Sequence, residues 1–346
     1  MIPRHKKTNR LLLQVSLLAF FFAIALLIST HWKKGEYTSF MGFTQGTSYH
    51  ITYESRKGEQ LQSQVDSLLA EFDTSLSIYN PKSIISRFNR NEEGVLADER
   101  FTEVFNKSAE VNKKTDGAFD ITVGPIVNAF GFGSGDTLNL DSAMIDSLRL
   151  YVGMQKVRLE NGMLIKSDPH VTLDVNALAQ GYSVDVVCAF LDHRKIKNYL
   201  VEIGGEVRAK GKNEAGVRWR VGIDKPEEGN NIPGTDLEAI ISLKDRSLAT
   251  SGNYRKYYVK NGIKYVHTID PHTGYPVISN LLSATIVSKD CMTADAYATA
   301  CMVIGVEKST ELLKNNKFLE GYLIYADEKG NFRIYVTPGL KKFISE

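Results

Sequence analysis

Cysteine is scarce in this chain: Cys188, Cys291 and Cys301 are the three in 346 residues. An odd count, with each residue inside an apolar, helix-like segment, argues against a disulfide framework and reads as three small buried hydrophobes. No His or Cys has zinc-ligand spacing. Charge of one sign is lacking too, because 42 Lys and Arg against 40 Asp and Glu leave a formal net charge of +2. There is no basic face for nucleic acid, which is not expected as a partner, and no acidic tail. No fixed-period repeat or low-complexity tract occurs. Two nucleotide signatures are missing: there is no P-loop, and "GFGSGD" has no strand leading in and no helix opening out, so it fails the dinucleotide fingerprint. No Gly-x-Ser-x-Gly elbow is present, and the seven His residues form no evident nucleophile-base pair.

What remains is a globular composition, 43% hydrophobic and 24% charged, with material for a large core. The N-terminus differs from the rest. Arg4, Lys6, Lys7 and Arg10 precede an almost wholly apolar run from Leu11 to Ile28, roughly 27 Å of helix. That length spans a membrane, and the basic flank sets the N-terminus in the cytoplasm with the body on the far side. The competing reading is a cleaved signal peptide, but "IST" is a poor cleavage site. The expected organisation is residues 1–32 as a basic stretch plus anchor or signal segment, and residues 33–346 as one catalytic-sized domain. The expected location is the cytoplasmic membrane, with the domain on its outer, periplasmic face.

Beyond residue 33, "MGFTQGTSYHITYE" alternates like a strand, and Leu61, Val65, Leu68, Leu69 and Phe72 have the spacing of an amphipathic helix. Further helices are expected at 100–115, 142–150, 178–194 and 292–304. Strands are expected at 156–160, 163–167, 199–203, 207–210, 218–223, 239–243, 254–260, 263–269, 283–288, 321–325 and 332–336. Many hairpin-connected strands with helices between them predict an α+β fold with mixed or antiparallel sheets. The dipeptide Asn261-Gly262 favours a two-residue type I′ turn. Counting out from it pairs Lys260 with Ile263, Lys256 with His267 and Asn253 with Asp270. Ser251, Asn253, His267 and Asp270 then gather at the open end of the hairpin, which is either a place for chemistry or an ordinary polar end.

Four local patterns could carry chemistry. Asp295 and Thr299, at i and i+4 on an alanine-rich helix, stack two oxygens on one face, a clamp for a hard cation such as Mg²⁺; the alternative is an Asp that caps a loop and a Thr bonded to its own helix. "LDVNALAQGYSVDVV" has Asp174 closing a short strand and Gly181 opening into a helix. Asp120 lies in apolar "GAFDITVGPI", as a ligand contact or a hydrogen-bonded turn. Gly204 and Gly205 mark a bulge or a close approach by another group.

Taken in order, "MGFTQGTSY", "LSIYNPKSIISRFN", "TDGAFDITVGPIVNAFGFG", "DVNALAQGYSVD", "VEIGGEV", "ATSGNYRKYYVKNGIKYVHTIDPHTGYPV" and "MTADAYATACMVIG" resemble the FAD:protein FMN transferase, or ApbE, family over nearly the whole chain after the anchor. The resemblance implies an ApbE-like, T-fold-like architecture and transfer of FMN from FAD to a Thr or Ser hydroxyl of an acceptor flavoprotein, with AMP released. It implies Mg²⁺ on Asp295, Thr299 and the carbonyl of Ala177. It implies FAD contacts from Met41, Tyr79, Ala118, Phe119, Asp120, Asp174, Gln180 and Ile269. His267 is implied as the residue that activates the acceptor hydroxyl; Asp270 is the second candidate, set by the hairpin register on the opposite strand face unless the next turn re-aims it. The family's "GIAKG"-like turn is "ALAQG" here, so Gln180 replaces a usually charged residue; Asn176 and Glu206 also depart from common choices. The family's lipid-attachment cysteine is absent, in keeping with an anchor helix. Acceptors in the family include subunits of membrane redox complexes. Two rival readings use the same features: a Mg²⁺-dependent FAD pyrophosphatase giving FMN and AMP, and a membrane-tethered protein that binds FAD without reacting.

Overall fold

The computed structural model describes residues 35–55, 58–133, 140–227, 234–253, 257–260 and 263–345. The N-terminal apolar run and the Asn261-Gly262 turn lie outside the described residues. Among those described, no helix is long and apolar enough to cross a membrane.

Alternation dictates the central sheet. Tyr49, Ile51 and Tyr53 are fully buried while Ser48 and His50 face out, the period of a strand covered on one side. Eight strands pair in the order Glu36–Thr44, Thr47–Ser55, Tyr199–Ile203, Glu206–Lys210, Arg246–Gly252, Leu281–Ser288, Glu320–Ala326 and Phe332–Val336. Every described pairing in this sheet is antiparallel. The central strands are buried on both faces: Ala249 and Ile286 pack into the helical core, whereas their neighbours Leu248 and Val287 pack with Trp219 and Ile241. The second group belongs to a three-stranded sheet, ordered Ile344–Ser345, Leu237–Leu243 and Trp219–Asp224. The result is an α+β protein of three layers, helices on one face of the large sheet and a small antiparallel sheet on the other.

The helices start where side chains cap them. Asp98 accepts from the Phe101 amide at 2.7 Å to open Glu99–Lys114, Asp141 opens Ser142–Arg149, and Asp290 accepts from the Thr293 amide at 2.9 Å to open Cys291–Asn315. Asn176–His193 and Cys291–Asn315 form the heart of the helical layer, and Cys188, Cys291 and Cys301 are free and buried there. Asp185 ties the two helices together: its carboxylate accepts from the amides of Cys291 and Met292 and pairs with Arg208.

Several expectations change. The stretch around Gly42 to Glu54 is a hairpin of two strands, turning at Gln45 and Gly46, both with positive φ. Asp174 closes no strand; residues 171–175 belong to no helix or strand. The helix expected at 292–304 does break at Gly305, whose φ of 79° and ψ of 176° are non-helical, but it resumes to Asn315. Arg246–Gly252, a full member of the large sheet, and the short helices Ile84–Asn89 and Gly124–Ala129 are elements that the sequence pattern does not predict. The late hairpin keeps its expected register at Lys260 with Ile263 and at Tyr257 with Val266.

Candidate active site

The two central helices touch through a glycine. A Cβ on Gly181 would lie 2.5 Å from the Cys291 carbonyl oxygen and 2.8 Å from Cβ of Asp295, so only glycine allows this approach. The closeness lets the Gly181 amide donate to Oδ2 of Asp295 at 2.9 Å. Asp295 is 5% exposed. Burial pushes its carboxyl up to about 7, a rise that the Gly181 hydrogen bond partly offsets. One turn on, the Thr299 hydroxyl lies 3.2 Å from that of Ser251.

Both residues line a cavity of about 780 Å³ between the helices, the large sheet and the small sheet. Its charged lining is one-sided. Asp73, Asp120, Asp174, Glu202, Glu206, Asp224 and Asp295 border it, and no Lys or Arg does among the described residues. An anion such as a pyrophosphate could not sit here without a cation to offset these carboxylates. Among the described residues no group of three or more His, Cys, Asp and Glu could hold a metal. A site would therefore rest on one carboxylate plus hydroxyl and carbonyl oxygens, the donor set that suits a hard, partly hydrated ion. Asp295, Thr299 and Ala177 all line the same cavity, and a buried carboxylate that accepts one amide fits that role.

The opposite wall is fixed by backbone. Asp120 accepts from the amides of Thr122 at 2.8 Å and Met154 at 3.1 Å and from Asn112 at 3.2 Å. Burial raises its carboxyl and these bonds oppose the rise. It is thus the hydrogen-bonded turn of the two alternatives, and it also lines the cavity. Asp174, also raised by burial, accepts from the Asn176 amide at 2.8 Å. Tyr79, Ala118, Phe119, Gln180 and Ile269 complete this part of the lining. Gly204 is the close approach that its sequence suggested: at φ 62°, a Cβ there would fall 1.7 Å from the Gln180 side-chain nitrogen. The glycine pair is a tight turn that makes room for Gln180 at the cavity wall.

His267 reaches the cavity on the far side, beside Thr268, Ser251 and Gly252. Its ring meets Phe132 edge-on, with centroids 6.4 Å apart. Asn253 stays outside the lining and accepts from the Thr268 hydroxyl at 3.0 Å. Asp270 is outside it as well: its own turn holds the carboxylate, which accepts from the His272 amide at 2.9 Å and from Thr273 at 3.2 Å. The strand Ile263–Val266 ends before both residues, and the Asp270 amide donates to the Tyr275 carbonyl, not across the hairpin to Asn253 as the register predicts.

Met41 is the one implied FAD contact outside the lining. It is 70% exposed on the outer strand. Gln45, four residues on at the hairpin turn, is in the lining. Its side-chain oxygen lies 3.3 Å from the Ser183 hydroxyl, and its side-chain nitrogen is buried with no partner. The signal was available in "QGTSY", whose glycine permits the tight turn, but reading the segment as one strand concealed it.

A model of the ApbE family matches residues 45–323. A Vibrio cholerae protein described as FAD:protein FMN transferase is 35% identical over 333 residues, covering 94% of this chain and 98% of the relative. A Haemophilus influenzae protein of the same description is 35% identical over 337 residues, covering 93% of this chain and 94% of its own length. Two solved structures superpose on the chain with a TM-score of 0.80. The flavin transferase ApbE from Vibrio cholerae, 35% identical, covers 89% of this chain and 99% of its own. The Pseudomonas stutzeri flavinyl transferase ApbE in its apo form, 31% identical, covers 90% and 98%.

Proposed function

The chain belongs to the ApbE family and transfers FMN from FAD to a protein, and we propose that it does so by a cation-assisted displacement at the cavity just described. The observation that carries this reading is the carboxylate-lined cavity, without Lys or Arg among the described residues, with buried Asp295 beside Thr299. FAD is a pyrophosphate diester, and its negative charge must be offset before a nucleophile can approach. Mg²⁺ held by Asp295, Thr299 and the Ala177 carbonyl would supply that positive charge. Asp120, Asp174, Tyr79 and Gln180 would border the flavin nucleotide, with Gln45 of the lining beside them and Met41 on the strand that leads to it.

The acceptor's Thr or Ser hydroxyl oxygen bonds to the FMN-side phosphorus. The bond from that phosphorus to the bridging oxygen breaks, and AMP leaves with the bridging oxygen. His267 takes the hydroxyl proton, a task for which an imidazole is suited near neutral pH. Asp270, committed to its own turn, is left as a support for the loop. FMN stays on the acceptor through a phosphoester. The apolar run at 11–28 would tether the enzyme, with the site outside the cytoplasmic membrane and an exported flavoprotein, such as a subunit of a membrane redox complex, as acceptor.

Intact-mass spectrometry of a candidate acceptor domain, incubated with residues 33–346, FAD and Mg²⁺, tests the reading when AMP is quantified alongside. A gain of one FMN per acceptor, matched by AMP and lost with a chelator, is expected. AMP without a mass gain would replace transfer by hydrolysis, and a gain that survives chelation would remove the metal.

A further inference from the structure

One wall of the cavity is a strand whose outer backbone edge is unpaired among the described residues. Val221, Gly222, Ile223 and Asp224 all line it. Successive side chains of a strand point to opposite faces, but Gly222 has no side chain and the register shifts between Ile223 and Asp224, so this run presents backbone as well as side chains to the cavity. In the small sheet this strand is terminal, pairing with Leu237–Leu243 on one side and with no strand on the other among the described residues.

The register identifies which groups point to the open side. Ser242 donates its amide to the Phe343 carbonyl at 2.8 Å, hence away from the Trp219–Asp224 strand. Its opposite residue there is Arg220. Antiparallel pairs alternate between bonded and non-bonded, so Arg220 and Ser242 are a non-bonded pair. The backbone N–H and C=O of Arg220 therefore point outward, and so do those of Gly222, two residues on. Both residues are exposed, and neither backbone has a partner among the described residues.

We propose that this edge is the acceptor-docking surface: an extended segment of the acceptor protein, carrying the target hydroxyl, adds as a strand beside Trp219–Asp224 and is thereby aimed into the cavity. The inference rests on the transferase reading above and supplies what that reading lacks, a means of holding a folded protein's hydroxyl at a site enclosed by side chains. Main-chain hydrogen bonds give affinity with little demand on sequence, the usual economy of strand addition. An exposed edge otherwise invites unwanted pairing. Gly222 has no side chain because Leu237 packs against it, a Cβ there falling 2.6 Å from a Leu237 methyl, which leaves its backbone as the group presented at the open edge.

The test is Arg220→Pro in the full enzyme, with Arg220→Ala as its control. Arg220 does not line the cavity. Proline there removes one outward N–H and sets its ring on the edge without costing a bond to the neighbouring strand, while alanine removes only the side chain. The probe is the acceptor domain that wild-type enzyme labels with FMN. Arg220→Pro is expected to raise the KM for acceptor at least tenfold while the Kd for FAD, read by flavin fluorescence, stays within twofold; Arg220→Ala should match wild type in both. Amide hydrogen exchange on wild type should also show slowed exchange at Arg220 and Gly222 when acceptor is added. An unchanged KM in Arg220→Pro, or exchange at the two amides unaffected by acceptor, would overturn the docking edge and leave the transferase reading standing. A wild-type enzyme that labels no acceptor would overturn both.

Discussion

The amide of Gly181 donates to the buried carboxylate of Asp295 at 2.9 Å, from a helix so close that a Cβ at residue 181 would strike the Cys291 carbonyl. Gly181→Ala must push two core helices apart. Overpacking of this kind costs about 1–3 kcal/mol, and it withdraws a hydrogen bond from the residue assigned to the cation. Urea unfolding should report that loss, together with a raised Mg²⁺ requirement for transfer. Unchanged stability would mean that the helices can separate freely.

Asp295 makes stability depend on pH in a defined direction. Burial lifts its carboxyl to about 7 in the folded, metal-free protein, so between the ordinary carboxylate range and about 7 the folded state holds a proton that the unfolded state has released. Stability from this group therefore falls as pH rises through that window and stays reduced above it. Asp295→Asn keeps an acceptor for Gly181 and removes the charge. In chelator its Tm should exceed wild type at pH 8, with the difference vanishing near pH 4; a difference independent of pH would contradict the assignment. Because the cation needs the ionised form, Mg²⁺ affinity of wild type should rise with pH and level off above about 7.

Gln45 offers a buried, unpartnered N–H to the cavity. If FAD accepts from it, Gln45→Ala should weaken FAD binding by about 1 kcal/mol, near fivefold, whereas Met41→Ala on the exposed strand should change it little. Flavin fluorescence titration of the two variants distinguishes the positions.

His267 and Asp270 separate by the same logic. His267→Asn should lower kcat for FMN transfer by about 10²–10⁴ with FAD affinity retained. Asp270→Asn, which alters a carboxylate engaged by the His272 amide and Thr273, should chiefly lower stability. Single-turnover labelling with equal FAD loading checks both.

Much of this was legible in the sequence because it followed from local rules. Period-two alternation located Tyr199–Ile203 to the residue, Gly305 marked the break in the last long helix, and the i, i+4 pair Asp295 and Thr299 lies where a helix face meets the cavity. What escaped depended on contacts between distant segments. Glu202, Glu206 and Asp224 join the cavity lining only through sheet order, and Asp185 caps a helix more than a hundred residues away. The Gln45 turn escaped for another reason: Gly42 to Glu54 alternates almost without interruption, and only the positive φ of Gln45 and Gly46 reveals the fold-back. Arg246–Gly252 has polar residues at Thr250 and Ser251, which look like a loop until they are found facing the site.

The most direct test of the cation assignment is anomalous diffraction from crystals grown with FAD and Mn²⁺ in place of Mg²⁺. The account predicts a peak within coordination distance of the Asp295 carboxylate, the Thr299 hydroxyl and the Ala177 carbonyl, absent in Asp295→Asn. A cavity that holds FAD with no peak there, or a peak at other carboxylates of the lining, would contradict it.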